Sequence, residues 1–158
     1  EEEVLVNINK YIATSCNIAQ SSVSSHTKIN FTANPVPDIQ CRPGYIGQVI
    51  LALLLNASDA MKNNGIVEVT SFVKHNKIYI SVKDSGTGIP DDVIDKIFDP
   101  FFTTKPVGEG KGLGLTSCRD IVKAHGGEIE IESASSKGTV VTFWLPVITS
   151  HDDINPKI

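Results

Sequence analysis

No stretch of this 158-residue sequence approaches the ~20 consecutive apolar residues of a membrane-spanning helix. Its longest apolar run, residues 49–55, has the length of a segment of buried helix, so no membrane contact is expected. Basic charge is in short supply too. Fourteen Lys and Arg against 18 Asp and Glu leave a net charge of -4, which argues against nucleic acid as the main partner, because binding a phosphate backbone needs a basic face. Cysteine is scarce and badly spaced for pairing. Cys16, Cys41 and Cys118 are odd in number, far apart and without CxxC spacing, which favours reduced thiols in a reducing compartment. Neither a methionine nor a signal sequence stands at Glu1, and the chain is read as a piece of something longer. What is present is ordinary: 41% hydrophobic residues, a mean hydropathy of +0.01, and length for one domain with a real core.

Periodicity supplies the elements. Val4, Ile8, Ile12, Cys16, Ile18, Ala19 and Val23 recur at helical spacing and predict a helix over 4–25. Residues 28–32 alternate like a short strand, broken by the proline-containing run 34–38. From Pro43, a permitted first-turn residue, a long helix is predicted to end near Asn64-Gly65, with the glycine as cap. Two strand-like runs follow, 66–74 and 77–83, joined at His75-Asn76 as a hairpin. A short helix is predicted over 91–97, and residues 98–112 form a long patternless loop of the kind that is usually functional. Helical spacing resumes over 113–125 and stops at Gly126-Gly127, before strands at 128–132 and 139–145. Helices before and between strand pairs that look antiparallel imply an α+β fold. The expected architecture is a two-layer sandwich, with a mixed, mostly antiparallel sheet and helices on one face. One domain over 1–148 and a frayed polar tail over 149–158 complete the reading.

Three local patterns bear on chemistry. "GEGKGLGL", residues 108–115, puts glycine at every second position and then enters a helix. Glycine-rich backbone followed by the positive end of a helix dipole makes an anion cradle; a plain surface loop is the alternative. Neither standard phosphate pattern fits. Gly110-Lys111 is followed by Gly112 where a P-loop needs Ser or Thr, and the dinucleotide fingerprint would need glycine where Leu113 stands. Asn56 interrupts the apolar run of the long helix, either as a structural amide or as an oxygen ligand to Mg²⁺. Asp84 opens "DSGTGIP" at a strand end, where its carboxylate could accept from an exocyclic amine while Gly86 and Gly88 admit a flat ring; a plain turn needs the same residue types.

In chain order stand "LLLNASDAM", "DSGTGIP", "IFDPFFTTK", "GEGKGLGL" and "SKGTVVTFWLP". This succession resembles the ATP-binding catalytic domain of two-component sensor histidine kinases, with its N, G1, F and G2 boxes and a terminal Gly-Thr strand, over about residues 40–146. The resemblance implies the Bergerat nucleotide fold shared with gyrase, mismatch-repair and heat-shock ATPases. It makes Asn56 the magnesium ligand, with Asp59 and Ala60 following on the same helix. It makes Asp84 the reader of the adenine amino group, with Gly86, Gly88 and Ile89 shaping the adenine pocket. Phe98, Phe101 and Phe102 match the F box aromatics, and core packing is the alternative for them. Thr104 and Lys105 close that box, and Lys105 either reaches the terminal phosphate or is simply solvated; Lys111 is similar. Gly110, Gly112 and Gly114, with Leu113 and Leu115, match the box along the triphosphate, and Thr139 matches the threonine near the adenine.

The pattern has departures. One turn before Asn56 the family usually carries an acidic or amide side chain that helps activate the phosphate acceptor, and here Ala52 stands. A general base contributes typically 10² to 10⁴-fold, so phosphotransfer is expected to be impaired while nucleotide binding survives. Asp59 places a carboxylate where the family often has a polar or basic residue. None of His26, His75, His125 and His151 lies in the setting of a phospho-acceptor, so self-phosphorylation of this chain is not expected. The resemblance implies Mg²⁺ and ATP or ADP as ligands. Its implied partners are the histidine-bearing dimerisation domain of a parent kinase and a response regulator downstream. It also implies a cytoplasmic location, either free or as the cytoplasmic part of a membrane-bound sensor. Two other readings compete: a serine-kinase switch of the anti-sigma type, and a nucleotide-binding regulatory module without catalysis, for which Ala52 is the argument.

Overall fold

The computed structural model describes residues 2–62, 64–86, 114–133 and 138–148. The first strand, β1 (Val4–Val6), corrects the helix predicted from residue 4. Asn7 ends the extended segment at φ -86 and ψ 116, and its side chain accepts from the Asn9 amide at 3.1 Å, capping α1 (Ile8–Ser22). The apolar residues ahead of this cap, Val4, Leu5 and Val6, pair instead with β3 (Ile39–Cys41) in a small antiparallel sheet. Between them β2 (Thr27–Ala33) runs along α1, whose Gln20 donates to the Thr27 carbonyl at 2.8 Å and accepts from the Ile29 amide at 2.9 Å. That carboxamide satisfies part of the strand's outer edge.

Helix α2 (Pro43–Ala60) starts on its proline and stops earlier than the sequence suggests. Met61 caps it, and Lys62 takes the left-handed conformation at φ 54 that was expected of Gly65. Gly65 instead opens β4 (Gly65–Lys74). A two-residue turn with both φ values positive, His75 at 51° and Asn76 at 63°, leads into β5 (Lys77–Asp84). This is the turn whose twist matches a right-handed hairpin. After α3 (Leu115–Ala124) come β6 (Glu128–Ser133) and β7 (Thr139–Pro146). The predicted helix at 91–97, the loop at 98–112 and the tail at 149–158 lie outside the described residues.

The main sheet has the order β2-β4-β5-β7-β6. Every pairing is antiparallel except β2 with β4, so the sheet is mixed, as expected, although the antiparallel look of the individual runs did not reveal the parallel pair. Alternation puts Val67 and Val69 of β4, Ile78, Ile80 and Val82 of β5, Ile129 of β6, and Phe143 and Leu145 of β7 on one face. They are buried beneath Ile8, Ile12, Ile46, Val49, Ile50, Leu53, Leu54, Cys118 and Val122 of the three helices. Truncating a fully buried leucine such as Leu54 to alanine costs about 2 to 5 kcal/mol in cores of this kind. The opposite face carries a stacked Phe72–Tyr79 pair with centroids 5.1 Å apart, and Lys77 lies 4.1 Å above the Trp144 ring.

Candidate functional site

The inward row of β5 runs Ile78, Ile80, Val82 and ends in Asp84. The alternation that buries three apolar side chains therefore buries a carboxylate, 6% exposed, at the end of the core. Two backbone amides meet it. Gly86 donates to Oδ1 at 2.8 Å, and the amide of Thr139, directly opposite in register, donates to the same carboxylate. Burial pushes the Asp84 pKa up and the two amides pull it down; burial prevails, so the pKa lies above its ordinary value.

Thr139 is buried beside it at 7% exposure, and its neighbour across the next pairing is Ser133. Ser133 Oγ donates to the Gly138 carbonyl at 3.2 Å and lies 2.8 Å from Thr139 Oγ1. Together with Lys83, Glu132 and Val140, these residues line a cavity of about 280 Å³ at the end of the sheet. Gly138, at φ 83, is glycine of necessity: a Cβ there would overlap the Asp84 carbonyl oxygen.

The turn after Asp84 is docked on the end of α2. A Cβ on Gly86 would stand 2.7 Å from the Ala60 carbonyl oxygen. The Met61 sulfur accepts from the Ser85 amide at 3.4 Å and from its hydroxyl at 3.2 Å. Ala52, Asn56 and Ala60 are spaced four apart on α2 and share a face. Ala52 is buried, Asn56 and Ala60 are half-buried, and Asp59 is exposed. Among the described residues the Asn56 carboxamide has no hydrogen-bond partner. Gly114 is the exposed N-cap of α3, Leu115 is that helix's half-buried first residue, and α3 packs against α2.

Asp84, Gly86 and Thr139 thus meet at one strand end, beside the helix end that carries Ala60 and, one turn earlier, Asn56. Gly88, Ile89, Phe98, Phe101, Phe102, Thr104, Lys105, Gly110, Lys111, Gly112 and Leu113 lie outside the described residues. Among the histidines, both ring nitrogens of His125 are occupied, Nδ1 donating to the Ile121 carbonyl at 2.8 Å and Nε2 accepting from the Arg42 amide at 3.1 Å. His75 sits in the hairpin turn. Sequence reasoning missed Ser133. The signal for it was present in "EIEIES", where alternation continues the inward positions Ile129 and Ile131 to a hydroxyl.

Residues 42–149 match the family model of histidine kinase-, DNA gyrase B- and HSP90-like ATPases. The chain belongs to this ATPase family. It is 43% identical over 137 residues to the sensor histidine kinase ZraS of Escherichia coli (strain K12), covering 86% of this chain and 29% of that protein. To sporulation kinase E of Bacillus subtilis (strain 168) it is 36% identical over 130 residues, covering 82% of this chain and 17% of the relative. In three dimensions it is similar to the nucleotide-free catalytic domain of histidine kinase ThkA, with a TM-score of 0.83 at 32% identity, covering 94% of this chain and 98% of that one. The structure of ThkA in complex with the response regulator protein TrrA gives a TM-score of 0.78 at 31% identity, covering 93% and 42%. Within the ATPase family, this chain is an ATP-binding catalytic domain of the sensor histidine kinase type. It spans less than a third of the length of these curated relatives. Among the described residues no helix is long and apolar enough to cross a membrane.

Proposed function

We propose that this domain, spanning residues 1–148, binds Mg-ATP and donates its γ-phosphoryl group to a histidine on a separate dimerisation domain of the same kinase. A response regulator downstream then receives the phosphoryl group. The observation that carries the reading is the buried carboxylate of Asp84 in the lining of the cavity. It is held by two backbone amides and retains capacity to accept from a ligand. A buried acidic group whose charge is opposed by its own burial is a cost to the fold, which a binding role explains.

In this reading Asp84 accepts from the adenine amino group, and Thr139 lies against the base. Gly86 keeps the turn close to α2, so that the phosphates extend toward Asn56 and toward the N-terminus of α3 at Gly114. Asn56 fits a magnesium role: a half-buried amide oxygen, without a hydrogen-bond partner among the described residues, on the helix face adjoining the base site. Among the described residues no cluster of three His, Cys, Asp or Glu side chains offers a protein cage for a metal. One amide supplemented by phosphate oxygens and waters is the pattern Mg²⁺ accepts. When bound, the ion would neutralise phosphate charge. Phosphoryl transfer otherwise depends on positioning and electrostatics, and the chain's contribution is to hold the nucleotide in place.

Ala52 supports a second reading, that of a nucleotide-binding module with weak or no phosphotransfer. The position is buried and its methyl group can neither take a proton nor orient one. Titration calorimetry with ADP and a non-hydrolysable ATP analogue, with and without Mg²⁺, tests the site. Magnesium-dependent binding is expected, and absence of binding would overturn it. Phosphotransfer by the complete kinase, with Ala52 and with Ala52→Asn, separates the readings. A gain of at least tenfold is expected; no gain would remove Ala52 as the limiting feature.

A further inference from the structure

We propose that Met61 is a positioning residue for base recognition: its sulfur clasps the turn after Asp84 onto the end of the helix that carries Asn56, and so fixes the carboxylate that reads the base. The inference rests on the reading above, that Asp84 faces a purine and Asn56 the phosphates.

The clasp has one possible sense. A thioether carries no proton and can only accept, so both contacts at the Met61 sulfur, 3.4 Å from the Ser85 amide nitrogen and 3.2 Å from its hydroxyl oxygen, are donated by Ser85. Ser85 is exposed, whereas Met61 is 7% exposed and caps α2. An exposed turn is thus tied to a buried anchor. The neighbours are shaped to the contact. Gly65, the first residue of β4, lies against it so closely that a Cβ would stand 2.6 Å from the sulfur and 2.9 Å from the Ser85 hydroxyl oxygen. One residue after Ser85, Gly86 makes its own close approach to the Ala60 carbonyl of the same helix end.

The link to the base runs through Gly86. Its amide donates to Asp84 Oδ1 at 2.8 Å, so the orientation of the buried carboxylate is tied to the place of that amide. Ser85 stands between the two residues, and holding it holds both. A hydrocarbon side chain at position 61 would fill the same space and accept nothing. The two Ser85 donors would then turn to water, the turn would loosen from α2, and Asp84 Oδ1 would lose its fixed donor while the Thr139 amide remained. A carboxylate free to swing reads an amino group less well and repels a keto oxygen less strongly, so discrimination between adenine and hypoxanthine falls.

Met61 is the only methionine in the sequence, so biosynthetic replacement of methionine by norleucine exchanges this one sulfur for a methylene group. The test compares the affinities of ADP and inosine diphosphate, with Mg²⁺ present, for the unaltered domain, for Met61→Leu and for the domain carrying norleucine or selenomethionine at position 61. The unaltered domain should prefer ADP. Met61→Leu and norleucine should lower that preference by roughly three- to tenfold, the worth of one neutral hydrogen bond. Both nearly conserve volume, and norleucine, unbranched like methionine, carries the test if leucine compromises folding. Selenomethionine keeps a protonless acceptor and should behave as the unaltered domain does. A second readout is the pH profile of ADP affinity. Displacing the Gly86 amide weakens one of the two donors that pull the Asp84 pKa down, so the fall in affinity on acidification should begin at higher pH in the norleucine domain. Lys83 and Glu132, the other charged side chains lining the cavity, are the same in every variant. In an Asp84→Asn background norleucine should leave the base preference unchanged, because the clasp acts through the carboxylate. Equal losses of ADP and inosine diphosphate affinity with an unmoved pH profile would make Met61 a packing residue and overturn the proposal, as would a norleucine domain that keeps the full preference. Failure of the unaltered domain to bind either nucleotide would overturn the purine reading itself.

Discussion

Replacing Asp84 by asparagine separates the nucleotide-binding role proposed for this residue from what it does to the fold. The side chains are nearly isosteric, so packing at this 6% exposed position is preserved. Asparagine offers one acceptor oxygen to the amides of Gly86 and Thr139, and it turns a second donor either toward one of them or toward the base. A hydrogen bond to a charged group is worth about 1.5 to 3 kcal/mol. The variant also sets an amide N–H against an adenine N–H. Loss of roughly 2 to 3 kcal/mol in ADP binding is therefore expected, a factor of about 30 to 150 by calorimetry.

The effect on stability has a different sign. Burial raises the Asp84 pKa above its ordinary 3.8, so the folded apo domain holds a proton there more readily than the unfolded chain. Ionised Asp84 therefore opposes folding, and the opposition grows as pH rises from 3.8 through the raised folded value. Relative to Asp84→Asn, the unaltered apo domain should lose Tm across that window, however the other groups titrate. In the proposed reading the nucleotide requires the ionised form, so ADP affinity should fall as pH drops through the same raised value, with more proton release on binding there than in the asparagine variant. Two results would refute this reasoning: a variant whose Tm falls relative to the unaltered domain as pH rises, or one that keeps full ADP affinity.

Gly138→Ala should destabilise the domain by about 2 kcal/mol or more, because it combines a φ of 83 with overlap on the Asp84 carbonyl; denaturant melts measure this, and a change below about 0.5 kcal/mol would show that the two strands separate easily. Cys16, Cys41 and Cys118 are all buried, and burial holds the thiols of Cys16 and Cys118 up at about 11. A thiol reagent should label none of the three quickly in the native state and all three on unfolding, as read by mass spectrometry; rapid native labelling of Cys118 would contradict its place between α3 and the sheet. Glu128 accepts from the Ile129 amide and pairs with Lys123 and Arg119, which holds its pKa below the ordinary value, so its small contribution is present above 4.5 and is lost as pH falls below it. Glu128→Gln should then cost less than about 1 kcal/mol at pH 7, and nothing once the carboxylate is protonated.

What could be read from the chain depended on how local each determinant is. The β4–β5 hairpin was legible because His75-Asn76 supplies both positive φ values within two residues. Asp84 was legible because it breaks an apolar alternation at a strand end, and the order of the motifs suggested the role proposed for it. β1 was not legible. Three residues are too few to establish a period, and its partner Ile39–Cys41 lies more than thirty positions away. The parallel pairing of β2 with β4 is likewise set by where α1 and α2 pack, which strand composition does not encode. The end of α2 was misplaced because glycine was expected to stop it. The stop instead involves Met61, whose sulfur holds Ser85 and draws the Asp84–Gly86 turn against the helix. Ser133 shows the limit most clearly. Its alternation was visible, but its contacts with Gly138 and Thr139 exist only because β6 and β7 pair in that register. A buried carboxylate can thus be found in a sequence as a charge out of place, whereas its neighbours across the sheet become visible only when the strands are in register.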